Sequence, residues 1–178
     1  MNLGELKTLV YKLLDESRPK TDLTEKIPVF VDAGQKEVSI YAPIWRQEQY
    51  EADGELPMDC RRPDRVVDES GTPLAWRVVQ GMDTKTLAAE RYPCILVYEA
   101  IPADVTDKTP DGKELEIGEQ AALAVVLYVA AQCNSLEYDQ RFFQSFYAQY
   151  QGKLANLAGA PDGPTMTAVA DSELPDWM

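Results

Sequence analysis

An unbroken apolar run near the C-terminal end of the sequence, residues 121–131, restricts the possible folds of this chain more than any other feature. The run is too short to cross a bilayer, which takes about 20 residues. A helix that is apolar on every side has to be buried on every side, because no face of it is suited to water. The sequence therefore predicts a buried helix over residues 118–134, with the other elements packed around it.

A second helix is predicted directly after the buried one, over residues 135–157. Its apolar side chains recur at helical spacing, which is typical of an amphipathic helix. Asn134 followed by Glu137 approximates a capping box and marks the start of this helix. A connection this short makes two helices antiparallel neighbours. The second helix is rich in aromatic residues, among them Phe142, Phe146 and Tyr150.

The N-terminal part of the chain also predicts two helices, over residues 2–16 and 24–41. Leucine and valine residues form one apolar stripe along the first of them. Thr24 is a suitable N-cap for the second, since Pro28 is tolerated only in the first turn. Gly34 lies on the apolar face of the second helix, where we expect it to allow close approach of a neighbouring helix.

The middle of the chain changes in character, because prolines and glycines interrupt short β-prone runs. We predict three to five short antiparallel strands in this part. The clearest runs are residues 44–50, 64–68, 74–80 and 94–98.

The fold class predicted from these elements is mainly α. We expect an antiparallel bundle of about four helices, with a small antiparallel β region inserted into it and an extended arm at the C-terminal end. The predicted segments are an N-terminal helical pair (1–43), a β-rich insertion with loops (44–116), a C-terminal helical hairpin of the same bundle (117–157) and the arm (158–178).

Composition excludes several classes of function. The formal net charge of −13 argues against sequence-independent binding of nucleic acid, which needs a basic surface. The chain has no histidine, which removes the commonest general base and most transition-metal sites. Its three cysteines are widely spaced, which argues against a disulfide framework or a zinc site. We therefore expect no enzyme activity, no catalytic residue, no cofactor and no metal ion.

Three arginines stand close together within this acidic sequence, at Arg61, Arg62 and Arg65. Aspartates are interspersed among them. Such a cluster is either a local ion-pair surface that contributes little to stability, or a contact with an acidic neighbouring subunit. Both interpretations stay open at the level of sequence.

The order of these features resembles one known family. After the two N-terminal helices comes the turn Gly-Glu-Leu-Pro-Met-Asp at residues 54–59, and then a β-rich insertion that closes with the aromatic strand and proline of residues 97–102. A polar loop leads on to the buried alanine-rich helix and a last long helix. Over residues 1–157 this pattern resembles the head–tail connector proteins (adaptor or head-completion proteins) of tailed bacteriophages.

The resemblance implies a structural protein of the virion neck, at the head–tail junction, assembled in the host cytoplasm. Such proteins form a homo-oligomeric ring, usually a dodecamer, that docks on the portal protein and extends the DNA channel. The ring then attaches the next neck or tail protein. DNA would pass through the channel without specific binding, and no membrane would be involved. The acidic composition agrees with this, because a channel wall that attracted DNA would hinder its passage.

Two sets of residues take on roles if the resemblance holds. The arm would dock on the portal, with its apolar residues as anchors: Leu174, Pro175, Trp177 and Met178. A ring also needs two different faces on each subunit. The candidates for contacts between subunits are Arg61, Arg62, Arg65, Phe142, Phe146 and Tyr150. We expect the three aromatic residues to divide between the core and a neighbouring subunit.

Two other classes of function are alternatives. The first is a monomeric acidic adaptor or regulator that binds one peptide or protein through the β-rich insertion. The second is a hydrolase that works with a pair of carboxylates, since the chain has 30 acidic residues. No two of these carboxylates are singled out by the sequence, so this alternative has the weaker support.

Overall fold

The computed structural model describes residues 1–15, 21–82, 84–136 and 140–158. The arm residues Leu174, Pro175, Trp177 and Met178 lie outside the described residues. The elements in chain order are α1 (Leu3–Leu13), α2 (Thr21–Val38), β1 (Ile44–Tyr50), β2 (Gly54–Glu55), β3 (Cys60–Val67), β4 (Trp76–Gln80), β5 (Lys85–Ala89), β6 (Cys94–Ala100), α3 (Glu119–Leu136) and α4 (Gln140–Ala158).

Helix α3 is the centre of a helical module formed by α1 to α4. The other three helices all pack against α3. Most of its apolar side chains are buried, including Val125 and Val129, which have no exposed surface. The prediction that the apolar run forms a buried helix is therefore confirmed. The first and last pairs of helices, although far apart in sequence, share one hydrophobic core.

The two N-terminal helices differ in part from the prediction. Asn2 caps α1 in a capping box, in which its side chain accepts from Glu5 N at 2.8 Å and Glu5 in return accepts from Asn2 N at 2.9 Å. Helix α2 begins at Thr21, so the predicted start at Thr24 is wrong and Pro28 lies inside the helix. Close packing at Gly34 is confirmed, because a Cβ atom there would lie 2.8 Å from Tyr128 Cδ1.

The insertion between α2 and α3 forms a β module with two three-stranded antiparallel sheets. One sheet has the order β1-β6-β3 and the other has the order β2-β5-β4. The central strand β6 is the most buried, as expected for a strand with neighbours on both edges. Side chains from both sheets form a second hydrophobic core. Its fully or nearly buried members include Tyr50, Val66, Leu87, Leu96 and Tyr98.

The prediction of a mainly α bundle is wrong. The chain is an α+β protein, since the six strands of its described residues form two sheets with a core of their own. Three features hide this from the sequence. Strand β3 continues through Pro63, β2 has only two residues, and β5 is rich in alanine, which favours helix over strand. The sequence also predicted at most five strands, whereas the part of the chain that the structure describes forms six.

Candidate functional site: an arginine-lined cleft

A cleft of about 420 Å³ lies where the C-terminal end of α2 meets the sheet β1-β6-β3. It brings the three arginines of the predicted cluster together with two carboxylates and an apolar wall. Its lining residues are Ile40, Pro43, Trp45, Arg61, Arg62, Asp64, Arg65 and Glu99. We call this site the arginine cleft.

The register of the sheet explains how the cleft is built. Arg62 lies opposite Glu99 on β6, and Arg65 lies opposite Val97, two residues away on the same strand. In a regular strand residues 62 and 65 would lie on opposite faces of the sheet. A shift of register between Pro63 and Arg65 adds one extra residue and brings both arginines to the same face. The core residues occupy the other face.

Arg61 has a structural role at the rear of the cleft. Its guanidinium donates to Ser39 O at 2.9 Å and to Ser39 Oγ at 2.7 Å, just after the end of α2. The last carbonyl groups of a helix have no partner within the helix, and they carry partial negative charge. Arg61 therefore ties strand β3 to the end of α2 and closes one side of the cleft.

Arg62 and Arg65 take part in ion pairs but keep further donors. Arg62 Nη2 contacts Glu99 Oε1 at 3.1 Å, and the Arg62 side chain is still 66% exposed. Arg65 Nη1 contacts Asp64 Oδ2 at 2.9 Å, with both side chains about one-third exposed. Each contact engages one nitrogen of a guanidinium group that carries five N–H donors. The site can therefore accept a further anionic group.

The rest of the cleft lining is apolar. Trp45 lies on β1 opposite Glu99, and it is only partly buried. Ile40, just beyond α2, is 61% exposed, and Pro43 stands between these two residues in sequence. A lining that combines charged and apolar side chains fits a ligand with both carboxylate and apolar groups.

The aromatic residues of α4 divide between interior and surface. Tyr150 has no exposed surface, and its ring lies 5.3 Å from that of Tyr128 and 5.8 Å from that of Tyr147. Burial raises the pKa of the Tyr150 hydroxyl, and the nearby carboxylate of Glu37 adds to this effect. Phe142 is 54% exposed, and Phe146 is partly buried. A contact with another subunit is therefore open to Phe142 and Phe146, whereas Tyr150 belongs to the core.

The cysteines are placed as structural residues. Cys94 and Cys133 are buried, and Cys60 is partly buried. Burial raises the pKa of the Cys60 and Cys94 thiols, which favours the neutral form over the reactive thiolate. Within the described ranges, no group of side chains is arranged to hold a metal ion. Of the helices described, none is both long enough and apolar enough to span a membrane.

Comparison with known proteins gives no further guide to function. No protein-family model matches the chain, and a search of curated proteins also gives no match.

Proposed function

We propose that this chain is a ring-forming head-to-tail connector of a tailed bacteriophage. The observation that carries the proposal is the arrangement of the two modules. Helices from both ends of the described chain share one core, in which α1, α2 and α4 pack against α3. The β module lies between the two helical pairs in sequence and has a core of its own. This order supports the resemblance to connector proteins. In such a molecule the helical module forms the body of the ring and the β module reaches towards neighbours.

Surface properties support a ring in which each subunit contacts two others. A ring interface joins two different patches of the subunit. Phe142 is exposed on helix α4. The arginine cleft lies at the C-terminal end of α2 and on β3. Neither patch is large, but one is apolar and the other is basic, whereas the chain as a whole is acidic. Phe142 and Phe146 on one side, and Arg62 and Arg65 on the other, are the proposed contacts.

The charge of the chain supports a channel through which DNA slides. A ring of subunits that each carry a net charge of −13 surrounds DNA with a repulsive wall. The proposed partners are other copies of the chain, the portal protein and one downstream neck or tail protein. Residues 159–178 are proposed to dock on the portal.

The test of the ring is electron microscopy of the purified full-length chain, alone and with portal protein. We expect rings with a central opening. The variant Phe142→Ser should remain folded and fail to form rings, because it loses exposed apolar contact area. Val29→Ser is a matched control, since Val29 is 63% exposed on α2. A wild-type chain that stays monomeric with and without portal would overturn the proposal.

Portal docking has a separate test. A chain in which Leu174 and Trp177 are changed to Ser should still form rings through the proposed contacts of Phe142 and Phe146 but lose binding to portal. Retention of portal binding by this variant would refute the role of the arm while leaving the ring intact.

The arginine cleft favours one second candidate, a monomeric acidic adaptor that binds a peptide through the edge of its β module. This function needs no ring and no portal. A stable monomer with no affinity for portal, but with affinity for a protein ligand at the cleft, would favour it over the connector.

A further inference from the structure

We propose that the arginine cleft binds the acidic segment of residues 171–178 from a second copy of this chain. The cleft would thus hold one subunit's C-terminal segment against its neighbour. The choice of a second copy, rather than the same copy, rests on the proposed function, because a ring links subunits in series.

Charge is the first observation that supports this ligand. Three arginines line the cleft with only two carboxylates, Asp64 and Glu99, in a chain whose formal net charge is −13. An acidic peptide is repelled by most of such a surface and attracted here. Complementary charge of this kind gives specificity and orientation to a contact. Glu99 is 7% exposed and pairs with one nitrogen of Arg62. The other donors of Arg62 remain available to a ligand, because most of that side chain is exposed.

The second observation is that part of the cleft lining is apolar. Ile40 is 61% exposed beside Trp45 and Pro43. A simple anion such as phosphate leaves this part uncovered. A peptide that alternates carboxylate and large apolar side chains contacts the charged and the apolar parts of the lining at once, and covering apolar side chains favours binding.

Residues 171–178 have the required composition. They read Asp-Ser-Glu-Leu-Pro-Asp-Trp-Met, with three carboxylates around Leu174 and Trp177, and no Lys or Arg occurs from residue 159 to residue 178. The stretch from the end of α4 at Ala158 to residue 171 spans roughly 40 Å when fully extended. This length is sufficient to reach a neighbouring subunit.

Portal and cleft would compete for the same side chains. If both contacts exist, each segment occupies one of them at a time. A chain with a disrupted cleft is therefore expected to bind portal at least as tightly as the wild type does.

The first experiment measures binding of a fluorescent peptide of residues 171–178. The protein is the full-length Leu174→Ser/Trp177→Ser variant, in which the chain's own segment no longer competes. We expect saturable binding that weakens as NaCl is raised. Arg62→Glu/Arg65→Glu should weaken it at least tenfold. Arg77→Glu/Lys108→Glu is the matched control, because it makes the same change of net charge at exposed residues outside the cleft. Its effect should stay within about twofold.

A third variant protects the test against misfolding. Arg62→Glu leaves the buried Glu99 beside a like charge, which could destabilise the fold. Ile40→Asp is therefore included, because Ile40 is exposed and is not paired with Glu99 in the sheet register. It should also weaken the peptide at least fivefold. Equal affinity for all variants overturns the proposal. Tighter binding of a single-stranded oligonucleotide than of the peptide, with the same loss in Arg62→Glu/Arg65→Glu, would identify the cleft as a phosphate site and also overturn it.

The second experiment tests whether the segment comes from another copy. The segment variant (Leu174→Ser/Trp177→Ser) and the cleft variant (Arg62→Glu/Arg65→Glu) are each combined with Phe142→Ser, which removes the other proposed contact. The two proteins are then examined by sedimentation, alone and mixed. Docking between copies predicts that each alone is monomeric and that the mixture associates. Peptide binding without association of the mixture would assign the contact to a single copy and refute this part. Ring formation by wild type is measured separately, so failure of the ring and failure of the cleft are distinguishable.

Discussion

The helical module and the β module reach a folded state by different means. In the helical module the core is continuous and almost wholly apolar, with α3 enclosed by three other helices. In the β module the core is smaller, and side-chain hydrogen bonds fix its loops. Asp68 accepts from Ser70 Oγ at 2.5 Å and from Thr72 N and Ser70 N at 2.9 Å, and these hydrogen bonds lower the pKa of Asp68. Tyr50 OH donates to Glu55 O at 2.8 Å. Apolar packing therefore holds the helical module together, whereas polar contacts position the loops of the β module.

The junction between the modules combines both kinds of contact. Ile44 packs against both cores. Arg46 pairs with Asp59 in the β module and, at 2.8 Å, with Glu116 in the loop that leads to α3. Arg61 bonds to the end of α2. The arginine cleft lies at this junction, so its shape depends on how firmly the two modules are held together.

The largest effect is expected from a charge in the helical core. Val125 is fully buried on α3, and Val125→Asp should cost several kcal/mol, because an unpaired carboxylate would be enclosed among apolar groups. Thermal denaturation followed by circular dichroism should show loss of most of the folded state. Val29→Asp, at a position 63% exposed, should change stability by no more than about 0.5 kcal/mol. Similar behaviour of the two variants would contradict the assignment of α3 as the core.

A cavity in the β module should have a smaller and more local effect. Leu96 is fully buried on β6, and Leu96→Ala is expected to cost about 2–5 kcal/mol. Because the modules have separate cores, hydrogen exchange should accelerate more at β6 amides than at α3 amides. Equal acceleration in both would mean that the two modules unfold as one cooperative unit.

Two glycines should respond to the same substitution with opposite signs. In Gly34→Ala the new Cβ would lie 2.8 Å from Tyr128 Cδ1 and 3.2 Å from Val125 Cγ1, so overpacking of about 1–3 kcal/mol should outweigh the gain in helix propensity. Gly152 on α4 has no atom within 4 Å of such a Cβ. Gly152→Ala should stabilise the chain by about 0.5–1 kcal/mol. Urea denaturation measures both, and stabilisation by Gly34→Ala as well would show that α2 and α3 are not in close contact.

The arginines of the cleft should separate into structural and surface residues. Arg61→Ala removes charged hydrogen bonds between β3 and the end of α2 and is expected to cost about 1.5–3 kcal/mol. Arg65→Ala breaks a partly exposed pair with its sequence neighbour and should cost about 0.5 kcal/mol or less. Urea midpoints of the two variants test this order. A larger loss for Arg65→Ala would mean that Arg65, and not Arg61, is the structural residue of the cleft.

The smallest effect concerns pH and the β module. Burial, with a contribution from Asp59, raises the pKa of Tyr98 from its ordinary value of 10.0 to about 12. Between these two values the unfolded tyrosine loses its proton while the folded one keeps it, so stability should fall as pH rises through this window. Tyr98→Phe should reduce that fall. The measurement is the difference between urea midpoints at about pH 9 and about pH 11, and an unchanged difference in the variant would exclude Tyr98 as its source.

Much of the helical module could be predicted from sequence, and less of the β module. The apolar run forces α3 into the interior, and the glycine on the face of α2 predicts a close contact with a neighbouring helix. Strand boundaries were harder, because Pro63 lies within β3 and β5 contains two alanines, which suit a helix better than a strand. The prediction of a mainly α bundle was wrong for this reason, since strand pairing overrides local preference.

Composition and periodicity alone show that this chain is acidic, has no histidine and contains a helix that must be buried. It also brought three arginines close together along the chain. The role of each arginine depends on how the chain folds. A register shift places Arg62 and Arg65 on one face, and the end of α2 engages Arg61, because strand pairing and helix ends supply partners that lie far away in sequence. In the same way, packing against α3 assigned Tyr150 to the core and left Phe142 exposed on α4.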